Sequence, residues 1–149
     1  MKINSKVRYG LRTMIEIAAT TDAGGILQKD IALNQNISFK YLDPIISALK
    51  LKGLISNFKG KGSGFILTRP AEEISVFDIY TAFERIDVYE CINNLGYCER
   101  SLHDCKGCNF WKGFRNDFEI LLSQKNLAQV LSETRYECQD LEHLQQIQN

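Results

Sequence analysis

The stretch Ser38-Phe39-Lys40-Tyr41-Leu42-Asp43-Pro44-Ile45-Ile46-Ser47-Ala48-Leu49-Lys50-Leu51-Lys52-Gly53-Leu54-Ile55-Ser56-Asn57-Phe58-Lys59-Gly60-Lys61-Gly62-Ser63-Gly64-Phe65-Ile66-Leu67 decides the fold, because its hydrophobic period changes halfway. In the first half Ser38 can cap a helix whose apolar positions are Phe39, Leu42, Ile45, Ile46 and Leu49, all read as core, and which ends near Gly53. Pro44 removes one helical hydrogen bond and crowds the Lys40 carbonyl, so the helix either bends there or begins at Asp43 with Pro44 in its first turn. In the second half two short apolar runs flank a glycine-rich turn, which predicts a hairpin with Lys59 and Lys61 at its tip.

Toward the N-terminus, Ile31, Ala32 and Leu33 predict a short helix from about Gln28 to Gln35, ended by Asn36. Before it, Val7, Leu11, Met14, Ile15 and Ala18 recur at helical spacing until the Asp22-Ala23-Gly24-Gly25 turn. Two helices joined by a tight turn and followed by a hairpin make a winged helix-turn-helix. Toward the C-terminus, Ser75 and Asp78 form a capping-box pattern for a fourth helix ending near Ile86. Residues 87 to 108 have no sustained period, and a loop of that length is usually functional or disordered. Phe110, Phe114, Phe118, Leu121 and Leu122 then define a long helix with a strongly apolar stripe, read as a dimer seam in preference to internal core. Leu127, Val130 and Leu131 add a short helical turn, and the Gln-rich end from Gln139 is read as a frayed polar helix. The expected architecture is mainly α with a small β-hairpin wing: a DNA-binding domain over 1–86, a cysteine-rich loop over 87–108, and a long dimerisation helix and tail over 109–149.

The chain's 149 residues, 44% hydrophobic and 24% charged, fit one ordinary globular domain and exclude a disordered tail or a disulfide-stapled miniprotein. At this size roughly 70% of the unfolded surface can be buried, so no metal is needed merely to fold. No apolar run approaches the ~20 residues of a membrane span, and Met1 to Ile15 does not read as a signal peptide, so a soluble cytoplasmic protein is expected. The formal net charge is +0, yet residues 1–70 carry 11 Lys and Arg against 4 Asp and Glu, and residues 71–149 carry 7 against 14. A basic half joined to an acidic one suggests a polyanionic partner, though two such halves could also simply attract each other.

Four of the five cysteines, Cys91, Cys98, Cys105 and Cys108, crowd into eighteen residues with gaps of six, six and two. Thiolates select zinc, copper(I) or iron-sulfur clusters. Structural zinc normally uses two closely spaced knuckles, and only Cys105-Lys106-Gly107-Cys108 has that form; wide gaps in a loop suit an iron-sulfur cluster better. Zinc, a metal-free dithiol switch and inert thiols remain as alternatives. His103 is an additional possible ligand, although a lone loop histidine is more often solvated, and Cys138 reads as a bystander.

On a winged helix, Lys and Arg neutralise phosphates while the second helix of the helix-turn-helix reads base edges. Lys6, Arg8, Arg12, Lys40, Lys50, Lys52, Lys59 and Lys61 are the candidates for the first role, and Ser38, Lys40, Tyr41 and Asp43 for the second. Each taken singly reads first as a solvated surface residue; their placement together on a winged helix argues for double-stranded DNA.

These residues carry a resemblance. Lys2-Ile3-Asn4-Ser5-Lys6-Val7-Arg8-Tyr9-Gly10-Leu11-Arg12, Ile37-Ser38-Phe39-Lys40-Tyr41-Leu42, the Gly60-Lys61-Gly62-Ser63-Gly64-Phe65 wing, Glu90-Cys91 with the later cysteines, and Trp111 resemble the Rrf-two (Rrf2) family of bacterial winged-helix regulators, of the IscR, NsrR and CymR type. The resemblance runs from Met1 to about Glu133. It implies a homodimer formed through the long helix, a palindromic operator, and, in cluster-bearing members, a [2Fe-2S] or [4Fe-4S] centre on three loop cysteines whose state changes DNA binding. Carried over by position, those three are Cys91, Cys98 and Cys105. Where IscR-like members place a histidine three residues beyond the third cysteine, this chain has Cys108; where NsrR-like members use an aspartate of the partner's first helix, it has Arg8. The resemblance therefore implies an all-thiolate site completed by Cys108, in loop gaps one residue longer than in IscR-like members. The function it implies is a regulator sensing iron-sulfur, oxygen, nitric oxide or redox status. A metal-free or zinc-bound thiol-switch regulator, a zinc-stabilised interaction module and a redox electron carrier are the competing classes. No nucleotide-binding glycine pattern or acid-base constellation supports an enzyme.

Overall fold

The computed structural model describes residues 3–59, 63–86 and 105–133. Cys91, Cys98 and His103 in the long loop, Lys61 at the wing tip, and Cys138 with the Gln-rich tail lie outside the described residues.

Helix α1 (Ser5–Ala19) starts where the Asn4 side chain accepts the Lys6 amide at 3.0 Å, and it buries one face through Val7, Thr13, Met14 and Ile17. Gly10 shares that face, and a Cβ there would run into the Phe83 ring, so only glycine lets the chain pack this closely. Helix α2 (Gln28–Asn34) ends on Asn36, whose φ of 50° is left-handed. The Ile37 amide reaches back to the Ala32 carbonyl (2.9 Å) and the Asn36 amide to that of Leu33 (3.2 Å), which closes the helix and opens the turn in three residues. The Asn36 stop read from sequence is thus a Schellman-type cap.

Helix α3 (Phe39–Leu51) is capped by Ser38, whose Oγ accepts the Tyr41 amide at 3.2 Å, and is closed by Gly53 at φ 73°. The helix starts at Phe39 and runs through Pro44, so it does not begin at Asp43. Pro44 and Lys40 are both exposed, so the Lys40 carbonyl deprived of its partner can be hydrated. Leu42, Ile45, Ile46 and Leu49 are buried as expected, but Phe39 is 54% exposed. At 100° per residue Phe39 falls on the arc of exposed Asp43 and Ser47, at the margin of the buried stripe.

Strands β1 (Ile55–Asn57) and β2 (Phe65–Leu67) pair antiparallel, with Ser56 opposite Ile66. Sequence reading missed what lies on the other edge of β2: Ile26 and Phe65 exchange backbone bonds of 3.2 and 2.8 Å, and the Gly64 amide donates to the Gly24 carbonyl at 2.9 Å. The approach is so close that a Cβ on Gly25, whose φ is 75°, would meet the Phe65 carbonyl oxygen at 2.5 Å.

Beyond the wing, a 3₁₀ turn (Ala71–Glu73) leads to α4 (Val76–Tyr80), whose Ser75–Asp78 capping box is complete. The helix stops at Tyr80 rather than near Ile86. The Thr81 hydroxyl donates to the Phe77 carbonyl (2.9 Å), and the next amides bond only three residues back, Ala82 to Ile79 and Phe83 to Tyr80. This tightening carries Phe83 over Gly10 and buries Ile86 beside Val7 and Tyr80. Helix α5 (Cys108–Gln124) is the long helix expected after the cysteine loop. The chain then turns back to α4: the Val76 amide donates to the Lys125 carbonyl and the Leu127 amide to that of Ile74, both at 2.8 Å. A further helical segment, 127–133, follows. Its start is a reciprocal Asn126–Gln129 capping pair at 2.9 Å each, a local signal present in the sequence.

The main core joins α1, α2, α3 and the wing through Met14, Ile31, Leu42, Ile45, Leu49 and Leu54, and takes Ile74, Ile79 and Leu127 from the C-terminal half. Each such side chain contributes about 1.5–3 kcal/mol by leaving water. A smaller cluster of Val7, Tyr80 and Ile86, covered by Phe77, Phe83, Phe118 and Leu122, joins α1 and α4 to α5.

Candidate nucleic-acid interface and cysteine segment

The outward face of α3 presents Ser38, Phe39, Lys40, Asp43, Pro44 and Ser47, all exposed, while its opposite stripe holds the helix in the core. Two contacts fix this helix against α1. The Tyr41 hydroxyl and Ser5 Oγ are 3.0 Å apart, and the Tyr41 ring meets Tyr9 edge-on at 5.5 Å. Tyr41 is therefore half-buried and acts as a pillar between α1 and α3; the exposed Lys40 and Asp43 face outward beside it. Lys6 and Arg8 are also exposed, on the end of α1 that Tyr41 braces.

Arg12, read from sequence as a phosphate contact, has two of its donors committed: Nε bonds the Gln35 side chain and Nη2 the Gln35 carbonyl, both at 2.6 Å. Gln35 in turn donates to Glu16, which also accepts from Asn34 at 3.1 Å. This polar ladder ties α1 to the end of α2, where the carbonyl end of a helix favours a cation. Arg12 retains further N–H groups for an outside acceptor. Across the face, the Gln28 amide donates to the Asp43 carboxylate, joining the starts of α2 and α3. No signal in the sequence pointed to these cross-helix bonds, because their partners lie 15 to 23 residues apart.

At the far end of α3 the Lys50 ammonium sits 4.7 Å from the centre of the Phe65 ring, a cation–π contact linking helix to wing. Lys52 and Lys59 are exposed beside it in sequence. Basic groups thus flank α3 at both ends, and the electrostatic arrangement suits a phosphate backbone on either side of a groove.

The described half of the cysteine segment sits at the start of α5. Cys108 is its first residue and is buried, Cys105 is half-buried, and both are free thiols. The Cys108 amide bonds the Cys105 carbonyl at 3.1 Å, so the pair is closed into a single turn. The positive end of the dipole of a 17-residue helix lies at this turn and complements negative charge. Trp111 stacks edge-on between Phe110 (5.0 Å) and Phe114 (6.1 Å) just beyond it. Among the described residues no three His, Cys, Asp or Glu side chains converge as a metal site. Two of the four thiols fit cluster ligation: soft donors, unpaired, and with one sheltered from solvent.

The inner face of α5 packs Phe118 edge-on against Tyr80 at 6.0 Å, in the cluster that also holds Val7. Its outer face leaves Phe110, Phe114, Ile120 and Leu121 in solvent.

A helix-turn-helix whose second helix is braced from behind and exposed in front, with a wing and cations beside it, defines a winged-helix DNA-binding regulator. Residues 3–133 match the family model described as Rrf2, iron-dependent transcriptional regulator. The chain belongs to that family. It is 35% identical over 133 residues to the HTH-type transcriptional regulator IscR of Escherichia coli, covering 89% of this chain and 81% of that protein. Among solved structures it resembles CymR, the global cysteine regulator of Bacillus subtilis, with a TM-score of 0.69 at 28% identity, covering 89% of this chain and 98% of that one. It likewise resembles IscR of T. potens, with a TM-score of 0.69 at 26% identity over 90% and 88%. The chain is a transcriptional regulator and not an enzyme, and among its described residues no helix is long and apolar enough to cross a membrane.

Proposed function

We propose that the chain is a homodimeric cytoplasmic regulator that binds a palindromic operator and reports iron-sulfur or redox status through a cluster held by Cys91, Cys98, Cys105 and Cys108. The observation that carries this reading is continuity. Cys108 begins α5, and ten residues on Phe118 packs on Tyr80 in the same cluster as Val7, which lies between the exposed Lys6 and Arg8. A shift at the start of α5 is thereby felt at the DNA-facing end of α1 through one packed set of side chains. Such packing transmits a displacement only if the element has two arrangements, which ligation or its loss would provide.

When bound, the cluster supplies a redox- and ligand-sensitive cross-link between the loop and α5. The chain's own residues do the rest. Cys108 anchors that cross-link to the helix and Phe118 and Leu122 carry helix position to α4. The outer stripe of α5 supplies the seam for a second copy, which sets the spacing of two α3 helices about one DNA turn, near 34 Å, apart. Ser38, Lys40 and Asp43 read bases, Tyr41 holds them in register, and Lys6, Arg8, Arg12, Lys50, Lys52, Lys59 and Lys61 engage phosphates.

Protein purified without oxygen should contain iron and acid-labile sulfide and absorb in the visible. Ala at Cys91, Cys98, Cys105 or Cys108 should bleach it and change operator affinity. A metal-free thiol switch is the second reading, favoured by the likeness to CymR, including a Staphylococcus aureus structure described as its oxidised form at 31% identity and a TM-score of 0.65. Colourless anaerobic protein whose DNA binding still responds to thiol oxidation would select it, and zinc without sulfide would select a structural metal.

A further inference from the structure

We infer that Phe39 reads thymine methyl groups in the operator, as a direct specificity contact from the first residue of the recognition helix. The inference rests on the DNA-binding reading above and adds a residue that the basic and hydrogen-bonding candidates did not include.

Phe39 is the one aromatic side chain on the outward arc of α3, and it is 54% exposed although its helix neighbours Leu42, Ile45 and Leu49 are 0% exposed. It takes no part in either buried cluster. A large apolar side chain held in water on a face otherwise made of Lys40, Asp43 and Ser47 is free to meet an apolar partner there. The N-terminal residues of such a helix are the ones that approach base edges, and the major groove offers a single apolar feature, the thymine C5-methyl. The neighbouring polar groups are suited to other edges: Lys40 to guanine O6 and N7, Asp43 to cytosine N4. Asp43 is held by Gln28 and Tyr41 by Ser5, so both flanks of Phe39 are braced and the ring is presented on a fixed backbone.

The test uses the full-length protein prepared without oxygen and a duplex selected from a randomised pool. Each thymine of one half-site is replaced in turn by uracil, which removes only the methyl group, and affinity is read by fluorescence anisotropy. At one thymine or more, the replacement should weaken binding about fourfold, the effect of withdrawing one methyl from an apolar contact. Phe39→Ala should weaken binding to the thymine duplex by a similar factor or more and should be indifferent to uracil at that position; Phe39→Leu should retain part of the discrimination. Thermal melts should be unchanged, since the ring is outside the core. Uracil sensitivity that persists in Phe39→Ala, or selected sites with no methyl-sensitive thymine, would overturn the inference while leaving DNA binding intact. Failure to select any duplex would sink it together with the regulator reading.

Discussion

Helices α3 and α5 carry the same kind of sequence, a strong apolar stripe on an otherwise polar helix, and the fold treats them in opposite ways. In α3 the stripe is consumed by the chain itself: Leu42, Ile45 and Leu49 are fully buried against α1, α2 and the wing. In α5 the apolar residues outnumber the places available. Phe118 and Leu122 find Tyr80 and Val7, while Phe110 at 64% and Leu121 at 59% exposure lie outside both buried clusters of the described residues. A hydrophobic period therefore predicts a helix reliably but says nothing about whose surface completes it. The difference is that α3 spends its whole stripe on folding, whereas α5 keeps apolar surface in reserve, which the proposed dimer would use.

The largest expected effect breaks the comparison most directly. Leu42→Ala should cost about 2–5 kcal/mol in urea unfolding, because it empties a fully buried site in a packed core. Leu121→Ala should change the stability of the isolated subunit by no more than about 0.5 kcal/mol. Leu121→Glu, placing charge on the outer stripe, should instead lower the mass measured by light scattering toward that of one chain. If Leu121→Ala destabilised a verified monomer as much as Leu42→Ala does, the division of roles between the two helices would be wrong.

A smaller effect tests the joint between the halves. Gly10→Ala should cost about 1–3 kcal/mol, since its Cβ would overlap the Phe83 ring and one of the two must shift. Phe83→Leu should relieve that overlap, so the double variant should be less destabilised than the two single losses summed. Additive losses would mean that the close approach of α1 to the turn after α4 is not the cause.

The halves also differ in how much of them the sequence disclosed. The helix-turn-helix, its Ser38 cap, its Asn36 and Gly53 stops and the two wing strands follow from local signals, each needing only a few adjacent residues. What escaped was non-local or depended on rotation about a helix axis. Ile26 pairing with Phe65, Arg12 holding Gln35 and Gln28 holding Asp43 join residues far apart in sequence, and period alone cannot reveal them. Phe39 fits the apolar spacing of α3 yet sits at its margin, where a few tens of degrees separate core from solvent. At the cysteines the described residues place only Cys105 and Cys108, as free thiols at the start of α5, and the cluster they would help to hold stays a proposal. The fourth helix is shorter than its apolar period suggests, because the Thr81 hydroxyl bonds the carbonyls of Phe77 and Asp78 just where the helix gives way to tighter turns.

The smallest effect sharpens the comparison by asking how far the two halves unfold together. After α5 the backbone returns to bridge Ser75 and Asn126, and the Asn126–Gln129 pair caps the segment 127–133. Asn126→Ala removes one side chain of that reciprocal cap and should cost about 1 kcal/mol. Leu127 is fully buried within the main core, so its amide reports on the stitch, while the amide of Leu49 reports on α3. Hydrogen exchange should show the loss at Val76 and Leu127, whose amides hold the bridge, and leave Leu49 nearly unchanged, because local opening at the stitch does not require α3 to melt. Equal acceleration at all three amides would show instead that the winged-helix half and α5 form one cooperative unit. The transmission proposed from Cys108 to Val7 would then act on the whole fold rather than along a single packed contact.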